Sequence, residues 1–157
     1  MSLWFKGVKE PNGWMGNMAP YPITYNGQVW LTSEALFQSM RFNDPLIKDV
    51  IRAEKNPFKA KLISKGHKKD YIIEPRKEQD IANMEACVLL KFQQHPKIAR
   101  LLMATGSHHI YEDASNRNGE RHKFWGAKKL SESEGDGNNM MGKILMDLRE
   151  EYLKEIK

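Results

Sequence analysis

Ile23-Thr24-Tyr25-Asn26-Gly27-Gln28-Val29-Trp30, followed almost at once by Thr32-Ser33-Glu34-Ala35-Leu36-Phe37-Gln38-Ser39-Met40-Arg41-Phe42, decides the fold class. Asn26-Gly27 between β-formers marks a hairpin, because both central positions of a tight hairpin turn need φ above zero. From Thr32 onward the period changes. Thr32 or Ser33 can cap a helix, and Glu34 falls in its first turn, where the dipole favours a carboxylate. A helix is predicted over 33–42. A hairpin running directly into a helix points to an α+β chain.

The flanks extend that reading. Leu3-Trp4-Phe5 predicts a short strand, and 11–22, rich in Gly, Pro and Asn, an irregular loop. Pro45 and Pro57 each suit the first turn of a helix, the second capped by Asn56, with helices to about 54 and 65 and Gly66 as a stop. Tyr71-Ile72-Ile73 reads as a short strand or an extended linker. Ile81, Met84, Val88 and Phe92 recur at helical spacing and predict a long helix over 77–95. Glu85 falls within that stripe as a partly buried acid, read as structural. Lys91 reads as a helix-edge residue snorkelling outward. Pro96 opens a helix to Met103, and Thr105-Gly106 breaks it. His109-Ile110-Tyr111 is a strand, Asp113 to Glu120 a polar loop, and Phe124-Trp125-Gly126 an apolar point in irregular sequence. Asn138 or Asn139 caps a last helix to about 154. The expected architecture is one domain over 1–157, a small hairpin-based sheet with several helices.

Composition limits the function classes. The chain has 157 residues, and Lys+Arg 25 against Asp+Glu 20 leaves a formal charge of +5. That mild excess suits a phosphate-bearing ligand or nucleic acid without demanding either. The single cysteine, Cys87, excludes an internal disulfide framework, fits a reducing cytoplasmic setting and reads as a small core filler. No apolar run is long enough to span a bilayer, and 1–9 lacks the apolar core of a signal peptide. Five histidines without ligand spacing give no metal site, and no cofactor motif is present.

Three constellations carry possible chemistry. Glu34, Gln38 and Arg41 share one helical stripe: either a solvated face, or a carboxylate, an amide and a guanidinium converging on a polar ligand. Thr105-Gly106, Glu112-Asp113 and Phe124-Trp125-Gly126 are either loop and core residues, or a pocket with an aromatic face for a base and carboxylates near a sugar. Cleavage of an N-glycosidic bond needs those parts, because positive charge develops on the ribose in the transition state. The third, 135–142, opens the last helix with Gly and Asn and is either a cap or an anion site.

Taken in order, the NG hairpin, the Thr32–Phe42 segment, Asn56-Pro57, Met84 with Lys91-Phe92, Thr105-Gly106, Glu112-Asp113, Phe124-Trp125-Gly126 and Gly137-Asn138-Asn139-Met140-Met141-Gly142 resemble the YbiA-like, or NADAR, family of N-glycosidases. The resemblance implies hydrolysis of an N-glycosidic bond to ribose. Its substrate classes are riboflavin-pathway ribosylaminopyrimidine phosphates, and ADP-ribose on guanine in nucleotides or modified nucleic acid. It makes Glu34 the first candidate for catalysis, and matches Gln38, Glu112, Trp125, Gly126, Asn139 and Gly142 to substrate-binding positions. Arg41 stands where many members have Lys. Arg does not serve as a Schiff-base amine, so it is assigned to clamp a phosphate. His122 stands where many members have Asp, and Asp113 is assigned as the replacement second acid/base. The alternative is a non-catalytic nucleotide or nucleic-acid binding module.

Overall fold

The computed structural model describes residues 1–119 and 122–156. Strand β1 (Ser2–Phe5) is followed by β2 (Ile23–Tyr25) and β3 (Gln28–Trp30), then by helices α1 (Ser33–Ser39), α2 (Pro45–Ala53), α3 (Pro57–Gly66) and α4 (Glu78–Gln94). Next come α5 (Pro96–Ala104), β4 (His109–Glu112) and the short α6 (His122–Trp125). Strands β5 (Lys128–Lys129) and β6 (Gly135–Asp136) precede the last helix, α7 (Met140–Ile156). The α+β class holds. The strands of the described residues form three separate two-stranded sheets, so the hairpin is not the base of a common sheet. The chain divides into two compact units, one made of Asn17–His95 and one of Met1–Gly16 with Pro96–Lys157. By sequence position they are called here the central and the terminal unit.

In the central unit the hairpin pairs Ile23 with Trp30 and Tyr25 with Gln28. Asn26 and Gly27 have φ of 50° and 75°, the values the two-residue turn requires. Local signals set the helix starts. Thr32 Oγ1 accepts from the Ala35 N–H at 3.1 Å. Asp44 accepts from Leu46 N–H, and Asn56 from Phe58 and Lys59 N–H, each beside a proline in the first turn. Helix α1 packs on α2, α3, α4 and β3, and all seven of its residues are buried. It ends at Ser39, three residues short of the predicted Phe42, so Arg41 lies in the turn that follows. Tyr71 to Ile73 form no strand. They are the extended linker, held where Ile72 N–H donates to the Arg41 carbonyl at 2.8 Å. On α4 the buried stripe is Asp80, Met84, Cys87, Val88, Lys91 and Phe92. The stripe is rotated from the predicted one: Ile81 is half-buried and Glu85 exposed, so Glu85 is not a buried acid.

In the terminal unit β1 runs parallel to β4, with Ser2 opposite His109 and Phe5 opposite Glu112. Trp4 and Tyr111 stack across this pair at 4.2 Å. Helix α7 packs on β4, α5 and α6, burying Ile98, Leu102, Ile110, Met141 and Leu145. Arg149 Nη1 donates to Thr105 Oγ1 at 2.9 Å and to the His108 carbonyl at 2.8 Å, tying α7 to the end of α5. The polar loop after Asp113 has its last residue, 120, outside the described residues. Phe124 and Trp125 lie on α6, a single helical turn rather than irregular chain.

Candidate active site

The Glu34 stripe is not a solvated face. Glu34 is 7% exposed, Gln38 3% and Arg41 8%, in a unit where most charged side chains reach water. Glu34 Oε1 accepts from Gln38 Nε2 at 3.0 Å, the contact that i, i+4 spacing permits. Its Oε2 accepts from Asn17 Nδ2 at 3.1 Å. Asn17 is itself fixed. Its Oδ1 accepts a short hydrogen bond from Ser33 Oγ, and its carbonyl accepts from Glu34 N–H at 3.1 Å. Two neutral amides thus orient the carboxylate, one on each oxygen, and each oxygen keeps acceptor capacity for a further group.

Arg41 extends the network in the other direction. Its Nε donates to Asp80 Oδ1 at 3.0 Å and its Nη2 to Asp80 Oδ2 at 2.7 Å, a two-pronged pair. Its Nη1 reaches Gln38 Oε1 at 3.4 Å. The guanidinium lies 4.9 Å from the Phe37 ring centroid and 5.4 Å from that of Tyr71. Burial alone would favour losing its proton, but the hydrogen bonds and charge of Asp80 outweigh burial and hold its pKa above the ordinary value. The arrangement corrects the assignment of Arg41 as a phosphate clamp: its fork is already occupied by Asp80. Asp80 also accepts from Arg76 N–H at 2.8 Å.

Sequence reasoning missed Asp80 and Asn17. Asp80 stands in the first turn of α4, where an acid passes for a partner of the dipole. Its spacing to Met84, Cys87, Val88 and Lys91 was the available signal. Asn17, in an aperiodic loop, offered none.

Lys91 reverses its prediction. It does not snorkel outward; it is 1% exposed, with Nζ 5.4 Å from the Tyr21 ring centroid and 5.5 Å from that of Phe92. Burial pushes its amine pKa down to about 7, so near neutrality it is divided between charged and neutral forms. On the same stripe Cys87 is fully buried, as a core filler should be. Burial, reinforced by the charge of Glu34, pushes its thiol well above the ordinary range. Among the described residues no three His, Cys, Asp or Glu side chains converge as metal ligands would.

In the terminal unit Glu112, Gly126, Asn139 and Gly142 come together at the start of α7. Asn139 Oδ1 accepts from Glu112 N–H at 3.0 Å, and its Nδ2 donates to the Ile110 carbonyl at 2.8 Å. A Cβ on Gly142 would overlap the Ile110 carbonyl and the Asn139 amide. One on Gly126 would stand 2.7 Å from the Glu112 carbonyl. These residues therefore pack the helix start against β4. At the same helix start, read in sequence as either a cap or an anion site, Asn138 N–H donates to the Lys123 carbonyl and Asn139 N–H to that of Gly126. Asp113 is half-buried, its Oδ1 accepting from Ser115 N–H at 2.9 Å. Trp125 is half-buried and edge-on to Phe124 at 4.9 Å, and His122 is half-buried on the same turn.

The chain is similar to known proteins over nearly its whole length. The sequence model of the NADAR domain matches residues 4–153. N-glycosidase YbiA of Escherichia coli K12 is 32% identical over 155 residues, covering 96% of this chain and 88% of that protein. A riboflavin biosynthesis protein of Vibrio vulnificus is 27% identical over 153 residues, covering 95% of this chain but 38% of that protein. The NMR structure of E. coli YbiA superposes with a TM-score of 0.80 at 27% identity, over 99% of this chain and 88% of that one. A family match across nearly the whole chain, together with that structural likeness, places this protein in the NADAR family.

Proposed function

We propose that the chain is a hydrolase that cleaves the N-glycosidic bond between a phosphorylated ribose and a base. The buried, doubly held carboxylate of Glu34 carries the proposal. As the bond from C1′ to the base nitrogen lengthens, positive charge grows on the ribose, and a fixed carboxylate stabilises it without reorganising. Water then bonds to C1′ and gives up a proton, and the base leaves having gained one. Glu34 is the group proposed to orient that water or face that charge. Gln38 holds Glu34, and Arg41, anchored by Asp80, holds Gln38. Both are positioning residues in this reading.

The relatives' names support the chemistry: one is called an N-glycosidase and another a riboflavin biosynthesis protein. A ribosylaminopyrimidine phosphate is accordingly the first substrate to test, and ADP-ribosylated guanosine the second. For Trp125 the proposed role is stacking on a base, and for Asp113 that of an acid/base group. Since the NADAR match spans both units, we take 1–157 as one domain. The fully buried Cys87 suits a reducing, cytoplasmic setting, which is part of the proposal. Among the described residues no helix is long and apolar enough to cross a membrane.

The test is incubation with each substrate and detection of free base by mass spectrometry. Glu34→Gln keeps the shape of the side chain and should abolish release while preserving the circular dichroism spectrum. Turnover at the wild-type rate by that variant would overturn the assignment. Salt-sensitive binding of both substrates with no product from the wild-type protein would leave a binding module instead.

A further inference from the structure

A pocket of about 310 Å³ opens on the central unit, between the hairpin, the later part of α1, Lys48 of α2 and the linker at Ile72. It is separate from the Glu34 network. Its walls take Leu36 and Ser39 from α1, which at 100° per residue lie across the helix from Glu34 and Gln38, and Met40, the residue that follows α1.

Two observations point to an occupant. Trp30 lines the pocket at 3% exposure, and its indole N–H, fully buried, has no hydrogen-bond partner among the described residues. A buried donor in that state is costly and uncommon, and an acceptor brought by a ligand relieves it. Lys48, half-buried in the wall, makes no ion pair with any described residue. The amides of Gln28, Asn43 and Asn83 add paired donors and acceptors to the same walls.

We infer that this pocket binds a nucleoside monophosphate unit, independently of the hydrolysis proposed at Glu34. The ring supplies an acceptor to the Trp30 N–H. Its edge meets the amides, which suit the donor–acceptor edge of a base. The phosphate meets Lys48 as a point charge. The unit is either a free nucleotide or a nucleotide within a single strand.

Titration of the ¹⁵N-labelled protein tests this. Trp30 is identified among the four tryptophan indole signals by its loss in Trp30→Phe, which keeps an aromatic side chain and removes the N–H. The probes are the four nucleoside 5′-monophosphates and, separately, a single-stranded tetranucleotide. The Trp30 indole proton should move downfield on saturation. Trp30→Phe and Lys48→Gln should each raise Kd about tenfold, the size expected when one hydrogen bond or one ion pair is removed. Glu34→Gln should leave Kd unchanged. Equal Kd for mononucleotide and tetranucleotide marks the free nucleotide as ligand, and a tighter tetranucleotide marks a strand. A Trp30 signal unmoved by millimolar nucleotide overturns the inference, as does binding abolished in Glu34→Gln but kept in Lys48→Gln. Should Trp30→Phe not fold, Lys48→Gln and the backbone signals of Gln28 and Asn43 decide the matter: signals that stay still at millimolar nucleotide overturn the inference equally.

Discussion

In the terminal unit the buried amide of Asn139 gives both of its ends to backbone, the N–H of Glu112 and the carbonyl of Ile110. In the central unit the buried polar groups hold one another: Asp80 to Arg41, Arg41 to Gln38, Gln38 to Glu34, Glu34 to Asn17. The first arrangement fastens a helix to a strand. The second holds the Glu34 carboxylate between side chains, one on each of its oxygens. Motif residues that look alike in sequence thus differ in their partners: main chain for Asn139, side chains for Glu34 and Gln38.

The sharpest test of the contrast is Lys91, the central unit's buried amine. Its ordinary pKa of 10.5 falls to about 7 in the folded chain. Between those values the unfolded chain binds a proton that the folded chain has given up. Stability therefore rises with pH from about 7 towards 10.5, and the full penalty is present below 7. Lys91→Met should flatten that rise, as read by urea denaturation at several pH values. A rise of the same size in Lys91→Met would assign it to another group.

Asp80→Ala comes next. It leaves the Arg41 guanidinium buried without its carboxylate, at a cost of about 3–5 kcal/mol by thermal denaturation. Asn139→Ala should cost about 2–3 kcal/mol, by orphaning a backbone N–H and a carbonyl. Its kcat per folded molecule should change far less than that of Gln38→Leu, which unseats Glu34. Equal kcat losses in the two variants would erase the distinction drawn between the units. The smallest effect is that of Thr32→Ala, about 1 kcal/mol from one missing helix cap.

Much of this was legible because it is local. Asn26-Gly27, Thr32, Pro45 and Asn56-Pro57 act within four residues, and the structure places the hairpin and helix starts where they indicate. The end of α1 was not legible, because α1 packs on three other helices and the Arg41 fork reaches a partner 39 positions away. Lys91 and Asp80 were misjudged or missed for one reason: patterning assigns charge to the outside, and here charge lines a buried helix face. At the site, the Glu34–Gln38 pair followed from its spacing. The partners that fix it come from outside the helix: Asn17 left no periodic trace, and the spacing of Asp80 on α4 marks a buried face without naming Arg41 as its partner.

The parallel pairing of β1 with β4 has a consequence for the order of events in folding. Its two strands lie more than a hundred residues apart. The central unit, by contrast, is one unbroken stretch, from Asn17 to His95. A ribosome delivers all of that stretch before β4 exists, so the partners inside the central unit are all present while β1 still lacks its own. β1, made before the central unit, is among the last elements to be paired, and until β4 emerges Leu3, Trp4 and Phe5 form an unpaired apolar edge of the kind that invites association with other chains.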